Sequence, residues 1–234
     1  MDDKEGQPIF TIEQTAAAES LKDFDTNVHL ATPKAIQDVL VPGQLPQVIY
    51  GWRPTYRADD ADSEFHPIGP TSKLSTPDNP AIIYDGGASD CTILFNVAPD
   101  GSVLSFHDSL HAYKEEVRAK KLNDLQGEVK TRLGDNSLLI ITGMNMQFAD
   151  DLGKAKDWLV GKIKAGLSDF DIRLLLTRQS ESQTEYSQLP QEVQKIYGLV
   201  YVPKQFTQTD NNELFVITDK SDERGIRDFL GVKG

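Results

Sequence analysis

The stretch from Cys91 to His107 constrains this chain most. Two β-rich runs, Cys91 to Val97 and Val103 to His107, flank Ala98-Pro99-Asp100-Gly101. Proline presets φ at the first turn position, aspartate bonds its own backbone, and glycine accepts the left-handed conformation. The run therefore reads as a β-hairpin with a tight turn and a bulge at Gly101. Folding back over that turn brings His107 beside Cys91, the only cysteine in the chain. Directly opposed residues of such a pair have Cβ atoms roughly 5 Å apart, and diagonal neighbours roughly 7–8 Å. A thiol within reach of an imidazole can become a thiolate–imidazolium pair, the activated nucleophile of cysteine hydrolases.

The residues before Cys91 fit the same chemistry. Gly86, Gly87, Ala88, Ser89 and Asp90 form a turn of small residues. With Gly86, Gly87, Ser89 and Asp90 in such a turn, backbone N–H groups approach a substrate oxygen closely, as an oxyanion site requires. A third group usually orients the imidazole. Asp85, at the end of the preceding strand, is preferred over Asp108, because neighbouring side chains of a strand point to opposite faces. On its own, a lone cysteine is a small buried hydrophobe. The hairpin partner is what sets Cys91 apart.

Around the hairpin the chain divides by character. Residues 1–78 read as an irregular N-terminal flank packed on the core. They contain possible strands at Pro8 to Ile12 and Gln47 to Trp52, a short helix at Pro33 to Leu40, and a loop rich in Asp, Pro, Ser and Gly from Arg57 to Asn79. Residues 79–234 read as the catalytic domain. A strand at Ala81 to Tyr84 precedes the hairpin, and a charged helical stretch with a break near Gly127 occupies Leu110 to Leu133. A strand follows at Ser137 to Thr142, then the clearest amphipathic helix, Ala149 to Leu167. Further strands are expected at Ile172 to Thr177, Leu199 to Val202 and Glu213 to Thr218. Short helices are expected at Pro190 to Tyr197 and after an N-cap at Ser221. Strands outnumber helices, and the helices cluster. This predicts an α+β fold, a layered β-sandwich flanked by helices.

The net charge of −12 disfavours nucleic acid and anionic membrane surfaces as partners. The sequence has no apolar run long enough for a membrane span. Its start, MDDKEGQPIF, lacks the layout of a secretory signal peptide. The expected location is soluble, either cytoplasmic or delivered to a host cell without a classical signal. One cysteine excludes an internal disulfide and a multi-cysteine zinc site. Asp59, Asp60, Asp62 and Glu64 lack the spacing and glycine of a calcium loop and read as solvated. His29 and His66 read as surface residues, His111 as an exposed first-turn histidine, and Trp52 and Trp158 as packing. The turn at Gly86 matches no nucleotide-binding pattern. No metal and no cofactor is expected.

The run GGASDCTILFNVAPDGSVLSFHDS resembles the catalytic hairpin of the bacterial glutamine deamidases. That family includes the chemotaxis receptor deamidase CheD, the cytotoxic necrotizing factor toxins and the Burkholderia lethal factor toxin. The shared pattern is a small-residue turn, a cysteine opening a strand, a hairpin with glycine, and a histidine on the returning strand. SLLIITGMN followed by a helix and DIRLLLTR is similar to the elements after the hairpin in the chemotaxis enzymes, so the resemblance spans about residues 80 to 218. It implies a deamidase-like fold with Cys91 as nucleophile and His107 as base. The family's third member varies, being a threonine in some branches and a backbone carbonyl in others, and Asp85 lies near that place. Ser89-Asp90-Cys91 departs from the more usual Ser-Gly-Cys. The implied reaction converts glutamine to glutamate on a partner protein, in the manner of a toxin-like effector. The sequence leaves the oligomeric state open, with a monomer preferred. The alternatives are a non-catalytic protein-binding domain on the same scaffold, or a cysteine transglutaminase or protease.

Overall fold

A computed structural model describes residues 24–44, 46–51, 73–86, 92–108, 115–134, 138–142, 171–174 and 197–232. Among the described residues, ten strands form two five-stranded sheets, joined by three helices, an α+β arrangement. The strands are β1 (Thr26–Leu30), β2 (Val48–Gly51), β3 (Lys73–Ser75), β4 (Ile82–Gly86), β5 (Thr92–Val97), β6 (Val103–Asp108), β7 (Leu138–Thr142), β8 (Asp171–Leu174), β9 (Gly198–Val202) and β10 (Asn212–Ile217). The first sheet runs β1-β10-β9-β4-β2 and the second β3-β6-β5-β7-β8. The helices are α1 (Pro33–Val39), α2 (Glu115–Leu133) and α3 (Lys220–Phe229).

Alternation along the strands builds the layers. Ile83, Leu199, Tyr201, Leu214 and Val216 of the first sheet pack against Ile93, Phe95, Val97 and Val103 of the second, so the sheets meet face to face. The intervening positions Ile82, Tyr84, Val200, Val202, Phe215 and Ile217 point to the other side of the first sheet. There they bury against Ile36 of α1 and Ile226 of α3. Strands β4, β9 and β10 are covered on both faces, which is why they read as unbroken apolar runs rather than alternating ones. Helix α2 contacts β6 of the second sheet, with Leu122, Leu125 and Val129 buried at helical spacing.

The residues before 78 take part in both sheets. β1 pairs with β10 and β2 with β4, both in parallel, and β3 pairs antiparallel with β6. Helix α1 occupies the expected place: Thr32 Oγ1 accepts from the Ala35 N–H at 3.0 Å, and Pro33 stands at the first turn. Pro8 to Ile12, Ala149 to Leu167 and Pro190 to Ile196 lie outside the described residues.

Two expected details differ. Helix α2 runs through Gly127 without a break. One exposed glycine costs a helix about 1 kcal/mol, which the buried Leu122, Leu125 and Val129 offset. The cap of α3 is Asp219 rather than Ser221: its carboxylate accepts from the Ser221 N–H and hydroxyl, both at 2.6 Å. Those two donors hold the Asp219 carboxyl below its ordinary range.

Candidate active site

The β5–β6 hairpin closes as its turn residues dictate. The Gly101 N–H donates to the Ala98 carbonyl at 3.0 Å, and the Ala98 N–H to the Ser102 carbonyl at 2.9 Å. Gly101 has φ +84°, the left-handed residue of a three-residue loop with a bulge. The Tyr201 hydroxyl of the first sheet donates to the Gly101 carbonyl at 2.8 Å, tying the turn to the facing layer. The register pairs Ile93 with His107 and Val97 with Val103.

That register decides where the polar residues of β6 go. Val103 faces the inter-sheet core, so Ser105 and His107, two and four residues on, face it too. In β4 the same period turns Ile83 and Asp85 inward from the opposite sheet. The result is a polar cluster at one end of the sandwich. Asp85 Oδ1 lies 2.6 Å from His107 Nδ1, and the Ser105 hydroxyl donates to Asp85 Oδ2. The two paired side chains are 0% and 1% exposed, so water does not weaken their attraction. With Asp85 ionised the carboxylate only accepts, so Nδ1 carries the ring proton. In the neutral imidazole, Nε2 is then the basic nitrogen.

Lys73 completes the cluster. It stands on β3 directly opposite Ser105 and is 7% exposed. Burial pushes its ammonium below the ordinary lysine range, while the charge of Asp85 acts in the opposite direction. On the far side of β4, Asp85 is paired with Leu199 and Gly86 with Gly198. A Cβ at Gly198 would overlap the Asp85 carbonyl oxygen, so the strand beside Asp85 has room only for glycine there.

Of the residues singled out from the sequence, Asp85 and His107 are in contact, and Gly86 closes β4. Cys91, Gly87, Ser89 and Asp90 lie outside the described residues, as do His66 and His111. Ser105 and Lys73 were not anticipated. Ser105 was accessible from the period-two rule, since it sits two residues before His107. Lys73 carried no signal, because it falls in a polar stretch that reads as loop.

A second carboxylate–imidazole pair lies in the first sheet. His29 Nε2 is 2.5 Å from Glu213 Oε2, and Asn27 Nδ2 donates to Glu213 Oε1 at 3.2 Å. The Thr209 hydroxyl donates to the same oxygen. Burial pushes the Glu213 carboxyl up, but the bonds from His29, Thr209 and Asn27 outweigh it and hold the carboxyl below its ordinary value. His29, expected at the surface, is 42% exposed.

Among the described residues no three His, Cys, Asp or Glu side chains are grouped to hold a metal ion, and no helix is long and apolar enough to cross a membrane. No protein-family model matches the chain, and no curated protein matches it.

Proposed function

We propose that the chain is a cysteine-dependent protein glutamine deamidase with a deamidase-like fold. The observation that carries this reading is the held imidazole. His107 is fixed at Nδ1 by Asp85, on a strand whose register pairs it with Ile93, two residues after Cys91. The hairpin order of the deamidases, cysteine before the outgoing strand and histidine on the returning one, supports the same reading. In the proposed reaction His107 Nε2 takes the thiol proton and Cys91 Sγ attacks the glutamine carboxamide carbon. His107 then protonates the departing ammonia. Water hydrolyses the thioester, with His107 again as base, and glutamate and the free thiol result. The turn of Gly86, Gly87, Ser89 and Asp90 supplies N–H donors to the oxyanion. The substrate is a protein bearing an accessible glutamine, and neither metal nor cofactor takes part.

The 1% exposure of the His107 side chain favours a second reading, in which Asp85, Ser105 and His107 only bind the two sheets of a protein-interaction domain. Mass spectrometry of candidate partner proteins after incubation separates the two. Deamidation adds about one mass unit at a glutamine, and Cys91→Ser abolishes it. An undiminished reaction in that variant rules out the cysteine mechanism. A native thiol that resists alkylation at neutral pH, together with no mass gain on any partner, favours the binding domain instead.

A further inference from the structure

The cluster around Asp85 contains a buried lysine that the reaction above does not use. We infer that Lys73 is a positioning residue, whose charge on Asp85 keeps the His107 imidazole neutral and ready to accept a proton. Three placements carry this. Lys73 is the direct partner of Ser105 across β3 and β6, so its side chain leaves the sheet on the face shared by Ser105 and His107. Ser105 and His107 both bond to Asp85, one on each carboxylate oxygen. Lys73, Asp85, Ser105 and His107 are all buried. Among the described residues, the titratable groups of this cluster are Asp85 on β4, bonded to His107, and Lys73 on β3, whose interaction is with Asp85. The strands on either side contribute Ile93 and Leu199.

A carboxylate facing an imidazole alone draws it toward the imidazolium. A second cation beside that carboxylate takes up part of the negative charge, and imidazolium then becomes a like-charge neighbour. The ring stays neutral, and the proton it carries during the reaction comes from the thiol rather than from water. As a statement about catalysis this rests on the reading of His107 as the base. As a statement about the charge of the imidazole it does not.

The test is NMR titration of the His107 ring in the full chain, with assignment by the signal lost in His107→Gln. In Lys73→Met the midpoint moves to higher pH by about half a unit or more, and Lys73→Arg returns it toward the wild-type position. A Lys73→Met midpoint that coincides with wild type overturns the inference. If Lys73→Met does not fold, the wild-type chain decides. The His107 signal shows a second inflection where Lys73 loses its proton, below the ordinary lysine value of 10.5. A ring signal flat through that range overturns the inference. The same samples are alkylated at Cys91. An inert thiol with a shifted His107 midpoint removes the deamidase reading and leaves the role of Lys73 standing.

Discussion

Among the described residues, two carboxylate–imidazole pairs of similar length stand in unlike settings. Asp85 and His107 come from different sheets and meet inside the sandwich, at 2.6 Å and with neither side chain above 1% exposed. His29 and Glu213 come from neighbouring parallel strands of one sheet, at 2.5 Å, with the histidine 42% exposed and the glutamate 1%. Chemistry alone does not distinguish them. Burial does: inside the sandwich, loss of one partner leaves charged or polar groups with no water to replace it, whereas water reaches the imidazole of the edge pair. The first pair is suited to fixing a ring in one tautomer and orientation. The second pins the edge strand β1 to β10.

The largest expected effect is therefore at Asp85. Asp85→Ala leaves Ser105, His107 and Lys73 buried around an empty place, and removal of one member of a buried pair costs about 3–5 kcal/mol. Denaturant unfolding measures it, and a cost under about 1 kcal/mol would erase the contrast between the pairs. Asp85→Asn keeps the shape and removes the charge. On the proposed deamidase mechanism it slows alkylation of Cys91 at neutral pH by about tenfold or more, because the ring is no longer held as the Nε2 base. Ser105→Ala comes next, at about 1–2 kcal/mol for one lost bond to a buried carboxylate. It leaves His107 on Asp85, so its effect on alkylation is smaller than that of Asp85→Asn.

What could be read from the sequence follows from how local the signals were. The β5–β6 hairpin was legible because Pro99, Asp100 and Gly101 specify the turn, and the turn specifies the register. Strands β4, β9 and β10 were legible as apolar runs. The assignment of β1, β2 and β3 to the two sheets was not, because strands of three to five residues that pair with partners far along the chain leave no local trace. For the same reason Lys73 was invisible: only the pairing of β3 with β6 carries it to Ser105. Asp85 was reachable because it ends the strand preceding the hairpin, but its approach to His107 depends on two sheets packing face to face. The Gly127 break was over-read, since glycine propensity is local and the buried face of α2 is not.

The edge pair is sharpened by pH. The folded Glu213 carboxyl sits below its ordinary value of 4.5. Its contribution to stability is therefore complete above that value and is lost as pH falls through the folded one. Glu213→Gln lowers stability at neutral pH by roughly 1–2 kcal/mol, through weaker bonds from His29, Thr209 and Asn27. It also flattens the decline on the acid side. Urea unfolding at a series of pH values below 6 measures both. Lys73 has the opposite sign. Its folded ammonium titrates below 10.5, so the penalty for burying it is complete below the folded value and is relieved as pH rises toward 10.5. Alkaline stability of Lys73→Met lacks that rise.

The smallest effect is expected at His29. Its ring lies 5.2 Å from that of Phe215, and it bonds to a carboxylate that keeps two other donors, Asn27 and Thr209. In His29→Ala, water takes the vacated side of Glu213. The global cost is then about 1 kcal/mol or less, as for other polar pairs with one exposed partner. The loss is local rather than shared across the sandwich. β1 is an edge strand, held to β10 by its parallel ladder and by the Ala31 N–H to Val216 carbonyl bond at 2.9 Å. Amide exchange in Thr26–Leu30 should therefore accelerate while that of β4 and β9 stays at the wild-type rate, because edge strands open without global unfolding. Equal acceleration in β4 would mean that the edge pair supports the whole sandwich, and the division between a buried, orienting pair and an exposed, pinning one would fall.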